Sequence, residues 1–292
     1  MHFFTALFAS ALLAGLALQL WLLWRQIRAV RAHRDRVPAP FAAAITADEH
    51  ARAADYTIAL AKLAALERTA GAAILAMLTL GGGLTVIDAW TSASGLDGLL
   101  RQLAVFAVVI LLTVLASLPL DAWRTFRIEA RFGFNRTTPR LFAIDFVKGL
   151  AIGGALLLPL AALLLCLMLR SGPQWWLWAW AAWATFSLVI GWAWPRLIAP
   201  WFNRFRELED GALRATVEAL ARRCGFEPRG VMVMDGSRRS THGNAYFTGI
   251  GRTKRIVFFD TLLNALAPDE VEAERHAGGT APGRDRQHRM RR

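Results

Sequence analysis

The sequence predicts an α-helical polytopic membrane protein of about five transmembrane helices, followed by a small α+β segment. Three observations carry that prediction. Of the 292 residues, 55% are hydrophobic and the mean hydropathy is +0.35, more apolar than a soluble domain requires. Five apolar runs are each long enough to cross about 30 Å of hydrocarbon as a helix, which takes about 20 residues. The twelve tryptophans fit the interfacial belts of a membrane protein.

The runs lie at 3–24, 70–90, 99–120, 146–169 and 173–199. The first is longer than a signal-peptide core and leads into Arg25, Arg28 and Arg31 without a small-residue cleavage site, so it is read as a retained span. The second contains Gly81-Gly-Gly83 and the fourth Gly149, Gly153 and Gly154, read as small residues in ordinary helix packing. Between the first two, residues 41–69 have an amphipathic pattern in Ile58, Leu60, Leu63 and Leu66. That pattern fits a helix lying on the membrane or a helical extension of span two. Asp88, Asp121 and Asp145 stand near span ends rather than span centres, so they do not call for an ion path, and a channel or transporter is disfavoured.

The formal net charge of +12 is spread through the connections rather than gathered on one face, which excludes a nucleic-acid partner and implies membrane lipids instead. Basic connections alternate with non-basic ones: Arg25 to Arg68 and Arg124 to Arg140 are rich in cations, while Thr91 to Gly98 has none. Positive flanks are retained in the cytoplasm. The expectation is an integral protein, of a bacterial inner membrane, with its amino terminus outside and everything after Pro200 cytoplasmic. Cys166 and Cys224 are too distant in sequence and setting to form a metal pair or disulfide framework.

After Pro200 the period changes. Residues 207–224 read as a helix with Leu208, Leu213, Val217 and Leu220 on one face and Gly225 as its stop. Val231–Met234, Ala245–Thr248 and Arg255–Phe259 are short, β-prone runs between Gly, Ser, Arg and Lys, read as strands of a small sheet. Asp260 or Thr261 caps a helix to Ala267, and a further helix starts near Pro268. Phe132 to Pro139 reads as a surface turn, with Phe132 and Phe134 dipping into the membrane and Arg131 and Arg136 meeting phosphate.

Three segments in order, Phe132-Gly-Phe-Asn-Arg-Thr-Thr-Pro139, Ser237-Arg-Arg-Ser-Thr-His-Gly-Asn-Ala-Tyr-Phe-Thr-Gly249 and Arg255-Ile-Val-Phe-Phe-Asp-Thr-Leu-Leu263, resemble the Ste24-type CAAX prenyl proteases of the M48 zinc metallopeptidase family. The resemblance covers residues 1–273. It implies a transmembrane region over 1–200, a partial M48 peptidase domain over 201–273 and an atypical basic tail over 274–292. It further implies a membrane-embedded zinc endopeptidase acting on a peptide or protein substrate at the cytoplasmic side. His242, Asn244, Ala245 and Tyr246 would line the substrate cleft, on an edge strand to which an extended peptide adds. Read without the resemblance, Asn244 and His242 satisfy nearby loop backbone groups.

The family carries His-Glu-x-x-His on a helix beyond Asp-Glu-Val, because two histidines four apart share a helix face and reach one zinc ion. Here the matching positions are Ala277, Gly278, Gly279, Thr280 and Ala281, and no two of the six histidines stand four apart. This chain is expected to hold no metal, to have no catalytic residues and to be inactive as given, incomplete at its C-terminal end. The switch to Gly, Arg, Pro and His after Ala273 reads as a frameshift or premature end, or as a genuine variant. The alternative to a protease is a non-catalytic, peptide-binding pseudo-enzyme or gene remnant. Without a covering zinc helix, Phe247, Ile256, Phe258 and Leu262 are expected to be exposed.

Overall fold

A computed structural model describes residues 2–43, 45–209, 211–223, 230–249 and 254–265. The chain divides into two compact units, one of Met1–Asn135 and Pro139–Trp183 and one of Arg136–Thr138 and Ala184 onward.

The first unit is helical. Helices α1 (His2–Ala32) and α2 (Ala47–Thr79) pack along one another. Their hairpin is closed by Arg34, whose Nε and Nη2 each donate to an Asp55 carboxylate oxygen at 2.9 Å. That fork holds the Asp55 carboxyl below its ordinary pKa, the hydrogen bonds from Arg34 being the main cause. At the start of α2, Thr46 and Glu49 form a reciprocal capping box that fixes where the helix begins. Residues 47–69 continue into the span as one helix, which decides for the helical extension over a helix lying on the membrane.

Span two is not a straight rod. Helix α2 ends at Thr79 and α3 (Gly83–Ala93) resumes at 57° to it. Gly82 sits at φ +77°, a left-handed conformation that L side chains avoid. A Cβ on Gly81 would stand 2.8 Å from the Met77 carbonyl oxygen. The reading of this triplet as helix-packing glycine is therefore corrected: it breaks the span. A Cβ on Gly149, Gly153 or Gly154 would meet nothing within 4 Å among the described residues, so these make no close helix approach there.

Helix α4 (Gly98–Trp123) runs on through a π-helical stretch at Arg124–Glu129, a few residues after Pro119 has removed one backbone donor from the ladder. Arg101 of α4 donates through Nε and Nη2 to Asp88 of α3, giving that acid a structural partner. Helix α5 is Pro139–Arg170 and α6 is Trp175–Ala193. Four helical stretches, Phe3–Ala32, Gly98–Glu129, Pro139–Arg170 and Gly172–Phe202, are long and apolar enough to cross a membrane, and the bent α2–α3 pair, counted as one span, makes a fifth.

The turn after α4 is held by aromatic packing. The rings of Phe132 and Phe134 lie edge-on to Tyr56 at centroid distances of 5.2 and 4.9 Å, so they pack on α2. The Tyr56 hydroxyl donates to Glu129 Oε1 at 2.7 Å. Burial, then this bond, push the Tyr56 pKa up to about 12.

In the second unit the chain leaves α6 through a π-helical turn at Trp194–Ile198, which contains Pro195, and the short α7 (Ala199–Phe202). A four-stranded sheet follows in the order β1-β2-β4-β3. Strand β1 (Phe205–Glu207) is antiparallel to β2 (Val231–Met234), β2 is parallel to β4 (Arg255–Phe259), and β3 (Ala245–Thr248) is antiparallel to β4. β1 was not expected. Its three residues are too few to display alternation, and their pairing to Met232–Met234 decides their conformation. Helix α8 is Ala212–Arg223, shorter at its start than the expected 207–224; Cys224 and Gly225 lie outside the described residues.

Ala221 of α8 packs on Val231 and Ile256, with Val217, Leu208 and Phe258 around them. Because of this cover, Ile256 is only 5% exposed and Phe258 is half-buried; Leu262, beside Gly243, is half-buried as well. Of the four side chains expected to be exposed, Phe247 alone is, at 68%.

Candidate functional site

The segment between β2 and β4 is built by backbone clamps more than by packing. Gly236 is buried against Phe259, and a Cβ there would fall 2.5 Å from the ring. Asp260, at the start of α9 (Asp260–Ala265), accepts from the Ser237 and Thr261 N–H groups at 2.8 Å each through Oδ1, and from Ser237 Oγ through Oδ2. One carboxylate therefore joins the first turn of α9 to the far loop. The expected helix Thr261–Ala267 begins one residue earlier, and its last two positions lie outside the described residues.

Arg239 is a second clamp that sequence reasoning missed. Its guanidinium donates to Asn203 Oδ1 and to the Phe202 carbonyl, both at 2.7 Å. Its own carbonyl accepts from the Arg136 N–H at 3.0 Å and from Thr137 Oγ1 at 3.1 Å. Arg136 is thus held to this loop through its backbone N–H. The one available signal was the pairing of two family-like segments, and spacing alone does not say that they touch.

Between these clamps lie His242, Asn244, Ala245 and Tyr246, the four residues that the family resemblance assigns to a substrate cleft. The His242 N–H donates to Ser240 Oγ at 3.2 Å and its carbonyl accepts from Thr261 Oγ1 at 2.8 Å. The Asn244 carbonyl accepts from the Phe259 N–H at 2.9 Å, and its side-chain Oδ1 accepts from the Ala245 N–H at 2.8 Å. Tyr246 turns to the opposite face from Phe247, edge-on to Phe259, with its hydroxyl 3.9 Å from Met234 Sδ. Burial raises the Tyr246 pKa above its ordinary value.

The hydrogen bond from Phe259 to Asn244 sets the phase of the β3–β4 ladder. Asn244, Tyr246 and Thr248 direct their backbone groups to β4, and Ala245 and Phe247 direct theirs away. β3 is the last strand in the sheet order among the described residues. Its outward donor at Ala245 is held by the Asn244 side chain.

A family profile described as "CAAX prenyl protease N-terminal, five membrane helices" matches residues 26–204, and "Peptidase family M48" matches residues 207–273. The chain belongs to the CAAX prenyl protease family of M48 peptidases. Among its relatives, "Probable CAAX prenyl protease 1" of Schizosaccharomyces pombe is 38% identical over 54% of this chain and 34% of its own length. The homologue of Caenorhabditis elegans is 28% identical over 91% of this chain and 60% of its own. The crystal structure of S. mikatae Ste24p superposes with a TM-score of 0.80 at 28% identity, covering 90% of this chain and 63% of that one. The chain thus spans between about a third and three fifths of the length of these curated relatives. It is an integral membrane protein of a metalloprotease family.

Zinc is the family's metal. Among the described residues no three His, Cys, Asp or Glu side chains gather as a metal site, and His242 is the one histidine of the second unit there. These residues do not fit a zinc ion, and no step is assigned to one. Ala277 to Ala281, which the resemblance aligns with the family motif, lie outside the described residues.

Proposed function

We propose that this chain forms the membrane body and the substrate-docking edge of a CAAX-type zinc endopeptidase, and that its 292 residues bind peptide without hydrolysing it. The observation that carries the docking part is β3. Among the described residues it lies at the sheet edge, with Ala245 and Phe247 directing backbone groups outward. An extended peptide or protein segment adds there as a fifth strand, its main chain supplying affinity and alternate side chains supplying selectivity.

His242 and Asn244 stand immediately before that edge. Docking moves the Asn244 side chain from the Ala245 N–H to the incoming peptide, so the same amide that now satisfies its own backbone becomes a substrate contact. The catalytic part follows from the sequence, which contains no His-Glu-x-x-His. The alternation of basic and non-basic connections supports an outside amino terminus and a sheet that works at the cytoplasmic face.

The test uses the full chain in lipid nanodiscs with prenylated and unmodified CAAX peptides. Ala245→Pro removes one outward donor without touching the bonds to β4, and at an edge position proline is tolerated. Binding is expected in the parent and at least tenfold weaker binding in A245P, with no cleavage and no stoichiometric zinc. Peptide cleavage that a chelator abolishes would overturn the inactive reading. Equal binding by parent and A245P would overturn the docking edge.

A further inference from the structure

Helix α1 has 31 residues, about 46 Å at 1.5 Å per residue, and is longer than the roughly 30 Å hydrocarbon layer it crosses. Starting from Phe3, about 20 residues bring the hydrocarbon boundary to Trp21–Trp24. Arg25, Arg28 and Arg31 then follow at headgroup depth.

Two of these cations are arranged rather than merely present. The Arg25 guanidinium lies 4.8 Å from the centroid of the Trp21 ring, and that of Arg28 lies 5.4 Å from the Trp24 ring. Each pair is spaced four residues apart, so both stack on one side of the helix. With Ala29 and Ala32 they line an open groove of about 430 Å³. Among the described residues neither guanidinium has a carboxylate partner. Arg34, just beyond the end of α1, differs: its donors are taken by Asp55 and Asp35.

We propose that this groove binds the phosphate headgroup of an anionic phospholipid. Stacking on an indole fixes a guanidinium by one face and leaves the N–H donors along its edge directed outward, in the fork that matches phosphate oxygens. The indoles sit at the depth of the glycerol and upper acyl region, where their amphipathic rings belong. Ala29 and Ala32 add no bulk, so a headgroup reaches both cations. The second unit contains a similar pair, with Arg196 4.9 Å over the Trp192 ring, but there Nη1 donates to the Trp192 carbonyl at 3.2 Å. Among the described residues, two indole-stacked guanidinium groups without a carboxylate partner come together on α1.

The test is lipid retention by the full chain, measured by native mass spectrometry after release from nanodiscs of phosphatidylcholine containing phosphatidylglycerol. Phosphatidylglycerol is expected to be retained in preference to phosphatidylcholine. Arg25→Gln with Arg28→Gln is expected to reduce that preference about 25-fold, on the order of fivefold per arginine at an anionic surface. R25K with R28K keeps the charge and loses the fork, and an intermediate preference is expected. Millimolar glycerol phosphate is expected to leave the lipid in place, because the acyl chains hold it in the groove. An unchanged preference in R25Q/R28Q would overturn the proposal, as would complete displacement by glycerol phosphate, which would point to a free phosphate site. A thermal unfolding midpoint equal to that of the parent confirms that each variant is folded.

Discussion

Replacing Asp260 by alanine removes the carboxylate that joins α9 to the loop before β3. Three hydrogen bonds disappear, two from the Ser237 and Thr261 N–H groups and one from the Ser237 hydroxyl. A hydrogen bond to a charged group is worth about 1.5–3 kcal/mol, and the hydroxyl can turn to water. Counting the two amides at the lower figure gives a local loss of about 3 kcal/mol. At about 1.4 kcal/mol per factor of ten, this corresponds to roughly 100-fold faster local opening. The assay is hydrogen exchange of the full chain in nanodiscs, read at Ser237 and Thr261 and at Phe259, whose N–H is held by the Asn244 carbonyl. Asp260→Asn keeps a carbonyl acceptor in place of Oδ1, and an increase of about tenfold is expected. Less than threefold faster exchange at all three amides in D260A would refute the clamp, and with it the claim that β4 and α9 set the position of the docking edge.

Tyr56→Phe removes a bond to the carboxylate of Glu129, and a loss of about 2 kcal/mol is expected at neutral pH, seen as a lower denaturation midpoint in detergent. The Tyr56 pKa is raised in the folded state to about 12 from the ordinary value of 10.0, so its stabilisation is complete below pH 10 and falls as pH rises toward 12. The difference between parent and Y56F is expected to narrow over that interval, and a constant difference would contradict the assignment. Gly236→Ala forces a Cβ to within 2.5 Å of the Phe259 ring, and a loss of about 1–3 kcal/mol is expected, measured as accelerated exchange in β4. Unchanged protection there would show that the ring yields freely.

The number and placement of the apolar runs, the three strands β2, β3 and β4 and the helix after Asp260 are legible in the sequence because each depends on local pattern. A span needs only about 20 apolar residues, and Val231–Met234 or Arg255–Phe259 carry enough β-branched and aromatic side chains to mark themselves. The family was legible for the same reason, through short segments in a fixed order. Ala245 and Tyr246 lie in β3, and His242 and Asn244 come just before it.

Tertiary structure decided what depends on a partner. β1 is a strand because Phe205–Glu207 has β2 to pair with. Phe132 and Phe134 pack on α2 because Tyr56 offers them an aromatic face. Gly81–Gly83 breaks a helix because the chain must bend there, whereas a similar glycine content in α5 does not. Arg239 gives no local sign of being a clamp, since its acceptors Phe202 and Asn203 and the donors Arg136 and Thr137 come from distant parts of the chain. Periodicity reports which face of an element is apolar; which groups meet across elements is fixed only once the chain has closed on itself.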